Sequence, residues 1–167
     1  EADKMRGSFL GPEYSDLDVL RAARKFQAPN TKHENFQNLC DEVSGLLAEG
    51  EVVGWFQGRA EWGPRALGNR TILGDPRHPE MQKKLNLKIK YREGFRPFAP
   101  SVVEEKCKEY FDLESDSPYM LLIAPVQDSR RKDKPEGYDN MELYEKLYHH
   151  RSDVPAITHI DYSARIQ

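Results

Sequence analysis

The longest apolar run in this 167-residue chain is Tyr119-Met120-Leu121-Leu122-Ile123-Ala124. A transmembrane helix needs about 20 such residues, so no membrane span is predicted. The apolar residues must instead be gathered from short segments into a packed interior. They suffice for that, since 38% of the chain is hydrophobic and it carries 2 Trp, 8 Tyr and 7 Phe, more than a disordered chain has. The length suits one domain of ordinary size or two very small ones. With 32% charged residues and a mean hydropathy of -0.81, the surface is heavily charged. No basic segment leading into an apolar stretch opens the chain, so no signal peptide is read there. Cys40 and Cys107 are too few for a disulfide framework or a zinc finger. A reducing cytoplasm is the expected compartment.

Short strand and helix patterns alternate along the chain. Residues 1–8 read as a frayed tail or linker. Ser15 with Asp18 resembles a capping box opening a helix to Phe26. Phe36, Leu39, Val43, Leu46 and Leu47 recur at helical spacing over 35–48, and Gly50 closes that helix. Strands are expected at 51–56 and 71–73 and a helix over 78–89, with Met81, Leu85 and Ile89 on one face. Pro97 and Pro100 predict an extended stretch over 95–103. A short helix at 104–111, a strand at 118–126, an exposed loop at 128–138, a helix at 141–150 and strand pieces at 156–160 and 164–167 complete the pattern. The order points to an α/β or α+β domain. A strand-forming end with nothing after it to cover an edge fits a domain truncated at its carboxy terminus.

The charge is unevenly placed. Net charge is -3, from 25 Lys and Arg against 28 Asp and Glu. Between Gln57 and Arg96, however, ten basic residues face only Glu61, Asp75, Glu80 and Glu93, a local excess of +6. Such an excess in an acidic chain points to a focused anion site, although for Lys83, Lys84 and Lys88 a solvated helix face explains it as well. Three segments carry candidate chemistry. In residues 58–70, glycines and a helix start after Pro64 would present backbone N–H groups to an anion, with Arg59, Arg65 and Arg70 forking onto its oxygens. The segment lacks the Walker A and Gly-x-Gly-x-x-Gly spacings, and a tight turn whose arginines pair with Glu61 or Asp75 would give the same pattern. In residues 90–101, Lys90 and Arg92 would share one side of an extended chain, to bind phosphates or to form a salt-bridge ladder. In residues 158–165, Ser163 and Arg165 share a strand face. His159, Asp161 and Ser163 invite a hydrolase-triad reading, but triads gather residues from distant segments. Adjacent pairs such as His149-His150 and His33-Glu34 are poor metal sites and read as solvated surface, and Cys107 reads as packing.

Taken together, these segments resemble the carboxy-terminal, YrdC-like region of the NodU/CmcH family of O-carbamoyltransferases. The resemblance is carried by Gly54-Trp55-Phe56-Gln57-Gly58-Arg59, by Glu61 through Arg77, by Arg92 through Val102 and by His159 through Gln167, with Leu10 through Asp16 similar to the lead-in. It implies a twisted mixed sheet with flanking helices, like that of threonylcarbamoyl-adenylate synthase, over residues 15–167. Residues 1–14 would lead in from an amino-terminal, actin-like ATPase-type domain that holds the acceptor and an iron site. It also implies that the carboxy-terminal domain makes carbamoyl-adenylate from ATP and carbamoyl phosphate, and that the partner domain passes the carbamoyl group to a hydroxyl. Lys90-Tyr91-Arg92 resembles the synthase Lys-x-Arg element. Ser163-Ala164-Arg165 sits where that fold has Ser-x-Asn, so Arg165 departs from the synthase but agrees with the carbamoyltransferases. On this resemblance Lys90, Arg92, Arg65 and Arg70 clamp phosphates, while Arg59, Arg96, His159, Ser163 and Arg165 bind carbamoyl phosphate or orient the adenylate. Mg²⁺ is expected with ATP, and no carboxylate pair stands out as its ligand. The family normally continues past Gln167, so the stretch alone is expected to lack transferase activity. Two other readings stay open: an RNA-binding module, disfavoured by a pI of about 6.0 and by the lack of aromatics interleaved in a basic stripe, and a scaffolding domain without chemistry.

Overall fold

The structure, a computed structural model, describes residues 3–167, with Arg6 described by its backbone alone. The polypeptide forms two compact units, one ending at Leu73 and one running from Gly74 to Gln167.

In the first unit, local side-chain chemistry sets the helices. The Ser15 hydroxyl accepts the Asp18 N–H at 3.3 Å and the Asp18 carboxylate accepts the Ser15 N–H at 3.0 Å, capping α1 (Asp16–Lys25). The Asn35 side chain accepts the Gln37 N–H at 2.8 Å and starts α2 (Phe36–Ala48), which ends before Gly50 at φ 85°. Phe36 meets Trp55 edge-on at 6.2 Å, joining α2 to β1 (Val53–Phe56). This strand pairs antiparallel with β2 (Arg70–Leu73), Val53 opposite Leu73 and Phe56 opposite Arg70. The glycine-rich segment is the loop between them. Gly11 and Ala60 are tied by N–H bonds to Ala60 O and Pro12 O, both 2.9 Å, and the Trp62 N–H donates to Ser8 O at 2.6 Å. Ser8, expected in a frayed tail, is therefore buried against the loop. The rest of that expectation falls partly on Glu1 and Ala2, which lie outside the described residues.

The second unit holds the larger core. Helix α3 (Met81–Lys84) continues into a wider π-type turn, Leu85–Ile89. Its extra residue per turn rotates the chain off the 3.6 period, so Met81 and Leu85 are buried while Ile89, expected on the same face, is 40% exposed. After α4 (Cys107–Tyr110), strand β3 (Leu122–Pro125) pairs antiparallel with β4 (Ser163–Ile166), Leu122 opposite Ile166 and Pro125 opposite Ser163. Helix α5 (Leu143–Tyr148) lies between them in sequence. Phe111, Ala124, Val126, Val154, Ile157, Ala164 and Ile166 form the core, with Phe98, Val102, Cys107, Tyr110 and Leu113 packed around it. The buried Phe, Val and Ile side chains there contribute about 1.5–3 kcal/mol each.

The architecture is thus mixed α/β with two small antiparallel sheets. One further expected element differs. Residues 156–160 form turns, because the Thr158 hydroxyl donates to Val154 O at 2.9 Å and pairs with the Ser152 hydroxyl at 2.7 Å, folding the segment on itself. The 128–138 loop is exposed over most of its length, as expected, and is anchored where Arg131 Nε donates to Val126 O at 2.8 Å and where Tyr138 is buried. Among the described residues no helix is long and apolar enough to cross a membrane.

Candidate functional site

In the first unit the loop between β1 and β2 is built around a carboxylate. Glu61 Oε1 accepts the backbone N–H groups of Asn69 at 2.7 Å, Leu67 at 2.8 Å and Arg70 at 3.2 Å. Positive φ at Gly63 and Gly68 lets the chain fold back to aim them. Three convergent N–H groups make an anion nest, and this one is filled by the chain's own side chain. Burial raises the Glu61 carboxyl, but backbone N–H bonds from Glu61, Leu67, Asn69 and Arg70 outweigh it and hold the group below its ordinary value.

The loop arginines are placed differently from one another. Arg70 donates to Gln57 O at 2.7 Å, Asn69 O at 2.9 Å and Gly58 O at 3.0 Å, and its guanidinium lies 3.4 Å from the Phe56 ring centre. Arg59 donates to Gly11 O at 2.9 Å and pairs with Glu13 at 3.3 Å. Arg70 thus holds the loop's own backbone, and Arg59 ties the loop to the segment before α1. Arg65 Nε is buried without a hydrogen-bond partner among the described residues. Neither acid predicted as a possible arginine partner takes a loop arginine: Glu61 is spent on backbone, and Asp75 pairs with Arg77 at 2.6 Å.

In the second unit Lys90, Arg92 and Arg96 occupy a tight turn, which corrects the extended geometry predicted for Lys90 and Arg92. The Lys90 N–H closes the π turn on Leu85 O, Tyr91 has φ 48°, and the Arg92 N–H returns to Asn86 O, the two bonds being 2.9 Å. Buried Asn86 makes the turn: its amide donates to Arg96 O at 2.9 Å and Gly94 O at 3.1 Å, and its oxygen accepts Arg92 Nε at 2.7 Å. The Arg92 guanidinium stacks 4.9 Å from the Phe98 ring centre, with no hydrogen bond to its terminal amino groups among the described residues. Lys90 is exposed, and Arg96 pairs with Glu93 at 2.9 Å.

At the entry to β4, His159, Asp161 and Ser163 meet. The Ser163 hydroxyl lies 2.6 Å from Asp161 Oδ1, which also accepts the Ser163 N–H at 3.0 Å, and His159 Nδ1 lies 3.1 Å from the Ser163 oxygen. The Ser163 hydrogen bonds hold the Asp161 carboxyl below its usual range, against burial. An ionised carboxylate only accepts, so the hydroxyl proton points to Asp161 and the serine oxygen accepts from His159 Nδ1–H. The order is Asp–Ser–His, not the Asp–His–Ser order of a hydrolase, and no base stands ready to take the serine proton. Burial lowers the His159 pKa, against the attraction of Asp161, and His159 Nε2 is buried with no partner among the described residues. Arg165 follows two residues on along β4, on the strand face of Ser163.

The His159 pKa has a consequence for stability. A histidine depressed by folding binds its proton more readily in the unfolded chain, so its contribution is complete above about pH 6.5 and is lost as pH falls below that value. Unfolding midpoints at pH 7.5 and 5.5 are expected to show a lower value at pH 5.5, with the difference reduced in His159→Gln. An equal difference in the variant would contradict this.

His159 and Asp161 line a cavity of about 660 Å³ walled by Phe95, Pro97, Tyr144 and Leu147. Arg151, only 2% exposed, forms part of the same lining. Its guanidinium donates to the carbonyls of Lys146, of Leu147 at 3.2 Å and of Thr158 at 2.8 Å, closing the end of α5. Phe95 and Pro97, on either side of Arg96, thus share this concavity with residues 156–161, whereas the side chains of Lys90, Arg92, Arg96, Ser163 and Arg165 are not part of its lining. Sequence reasoning passed over Arg151, Asn86 and the place of Asp161 on the cavity wall. The available signals were a cation just past a helix end and an asparagine beside the Met81–Leu85 apolar face. His149, read as solvated, packs its ring on Tyr138 at 5.7 Å, and burial lowers its pKa. Burial also raises the Cys107 thiol, consistent with packing.

Residues 44–167 match the family described as Carbamoyltransferase C-terminus. Over 167 residues the chain is 49% identical to an uncharacterized protein of Synechocystis sp., covering 99% of this chain and 27% of that one. It is 37% identical to the nodulation protein NolO of Bradyrhizobium diazoefficiens, again over 99% of this chain and 27% of the relative. It is 39% identical over 127 residues to the 3'-hydroxymethylcephem-O-carbamoyltransferase of Amycolatopsis lactamdurans, covering 76% and 20%. The chain spans about a quarter of the length of the first two relatives and a fifth of the third.

Proposed function

Because the chain belongs to the carbamoyltransferase C-terminal family, we propose that it is the part of an O-carbamoyltransferase that forms carbamoyl-adenylate, on a fold like that of threonylcarbamoyl-adenylate synthase. Carbamoyl phosphate and water give carbamate and phosphate. A carbamate oxygen attacks the α-phosphorus of ATP, the bond to the β-phosphate breaks, and pyrophosphate leaves. An amino-terminal domain of the same protein then transfers the carbamoyl group to a hydroxyl, releasing AMP.

The observation that carries this reading is the turn in which Asn86 holds Arg92 at Nε, in the same unit as the cavity lined by Phe95, Pro97, His159 and Asp161. In the adenylation step negative charge grows on the α-phosphate and on the departing pyrophosphate. Fixed cationic donors stabilise that charge without reorganising. Arg92, pinned at Nε by Asn86, keeps its terminal amino groups for such an oxygen, and exposed Lys90 adds a mobile charge. Arg165, in the same unit, is proposed to contribute on the same grounds of charge, while Arg59, Arg70 and Arg96 act mainly by holding backbone or a neighbouring carboxylate in their own units. His159 and Ser163 orient the carbamoyl end. Among the described residues no three His, Cys, Asp or Glu side chains converge to hold a metal ion, so no protein ligand is assigned to the Mg²⁺ that accompanies ATP.

Calorimetric titration of the full-length protein with ATP–Mg²⁺ and then carbamoyl phosphate tests this. Saturable ATP binding is expected, weakened about tenfold or more in Lys90→Ala and Arg92→Ala, which is about 1.4 kcal/mol or more per lost charge-assisted contact. Unchanged binding in both variants would move the nucleotide away from this unit.

A further inference from the structure

Helix α1 (Asp16–Lys25) is ten residues long and buries none of them. A helix of that length is marginal in water by itself, and helices in proteins draw most of their stability from packing an amphipathic face. The Ser15 and Asp18 cap secures only the first turn. The sequence of α1 nevertheless carries such a face. Val19, Leu20 and Ala23 lie together, with Phe26 just past the helix end, while Asp18, Arg21 and Lys25 form the opposite stripe, Arg21 lying 3.8 Å from Asp18. Leu17, Val19, Leu20 and Phe26 are between 41% and 74% exposed. In the same unit α2 leaves Phe36 and Leu46 exposed as well. Large apolar side chains gathered on one face of a short helix mark a surface that another body covers.

Two facts point to that body. The match to the carbamoyltransferase C-terminal family begins at residue 44, so α1 lies ahead of that domain. The relatives that are 49% and 37% identical align with 99% of this chain, α1 included, and this chain makes up only 27% of each. We propose that the apolar face of α1 is the seat of the amino-terminal domain of the full-length protein, packed against it within one molecule. The inference rests on the two-domain part of the function proposed above and on none of its chemistry. A domain tethered to the same chain meets α1 at an effective concentration set by the linker, so it holds the face against a second copy free in solution. The surface it brings is apolar at the centre, to receive Leu20 and Phe26, and polar at the rim, where Asp18 and Arg24 border the face.

The test uses the full-length protein. Hydrogen exchange over residues 16–26 is followed in the wild type, in Leu20→Glu and in Arg21→Gln. Glutamate is about as good a helix former as leucine, and Leu20 is exposed in its own unit, so Leu20→Glu acts on whatever covers the face. The expected protection over 16–26 is about 100-fold or more in the wild type, cut at least about tenfold in Leu20→Glu and changed less than about twofold in Arg21→Gln. Photo-cross-linking from p-benzoylphenylalanine in place of Phe26 then identifies the body, with a cross-link expected inside one molecule to residues beyond these 167. Exchange over 16–26 as fast as in an unstructured peptide, or equal protection in Leu20→Glu, would overturn the proposal. So would a cross-link confined to residues 74–167, or one joining two molecules. Each of these results leaves the adenylation reading standing, because that reading is decided by pyrophosphate exchange.

Discussion

Arg151→Ala is expected to destabilise the unit formed by residues 74–167 by about 4 kcal/mol, the sum of a cavity and of carbonyls left without donors. Arg151 is 2% exposed and forms no ion pair among the described residues. Its whole fork is spent on the carbonyls of Lys146, Leu147 and Thr158, which are the loose end of α5 and the turn that leads to His159. Burial lowers its pKa, yet a guanidinium stays charged at any accessible pH, so the helix-end carbonyls must serve as its counter-charge. Arg151→Lys keeps the charge but cannot reach three carbonyls at once, and about half the loss is expected there. The contrast is Arg130→Ala, which removes a partly exposed pair with Asp153 at 2.8 Å and should cost no more than about 1 kcal/mol. Peptide-resolved hydrogen exchange across residues 143–166 under increasing urea separates the cases. A loss near 1 kcal/mol for Arg151→Ala would mean that α5 is held by its apolar face alone.

Glu61→Ala is expected to loosen the loop between β1 and β2 by about 2–3 kcal/mol, because three backbone N–H groups lose one shared acceptor and are only partly shielded from water. The variant has a signature that simple truncation would not give. The vacated nest is an anion site, so millimolar acetate should restore part of the lost protection at Leu67, Asn69 and Arg70, whereas chloride-matched controls should not. Exchange rates of those amides with and without acetate decide it. Full protection without acetate would show that the glycine-rich loop holds its shape independently of Glu61.

The local parts of the fold were legible in the sequence because their causes are local. Ser15 with Asp18 and Asn35 with Gln37 cap helices within a few residues, and the apolar spacing of 36–48 needs no distant partner. The Lys90–Arg92 geometry was not legible, since it depends on one π-type turn closed by tertiary bonds from Asn86 to Gly94 and Arg96. A single extra residue in a turn changes which side chains share a face, and no periodicity in the sequence announces it. The His159–Ser163 cluster was visible as a cluster, but its proton order follows from two distances and the ionisation of Asp161. The loop arginines were visible too. That Arg70 and Arg59 hold carbonyls of their own unit, leaving Arg65 and Arg92 as freer cations, required the folded backbone.

Under the proposed function, carbamate attacks the α-phosphorus of ATP in the reaction of the full-length protein. Exchange of labelled pyrophosphate into ATP, followed in the full-length protein with no hydroxyl acceptor present, tests it most directly. The account predicts exchange that depends on carbamoyl phosphate and is reduced about 100-fold or more in Arg92→Ala, the size of effect seen when one fixed donor to a transition-state oxyanion is removed. Carbamoyl transfer that proceeds with ADP and phosphate as products, and without any pyrophosphate exchange, would contradict it.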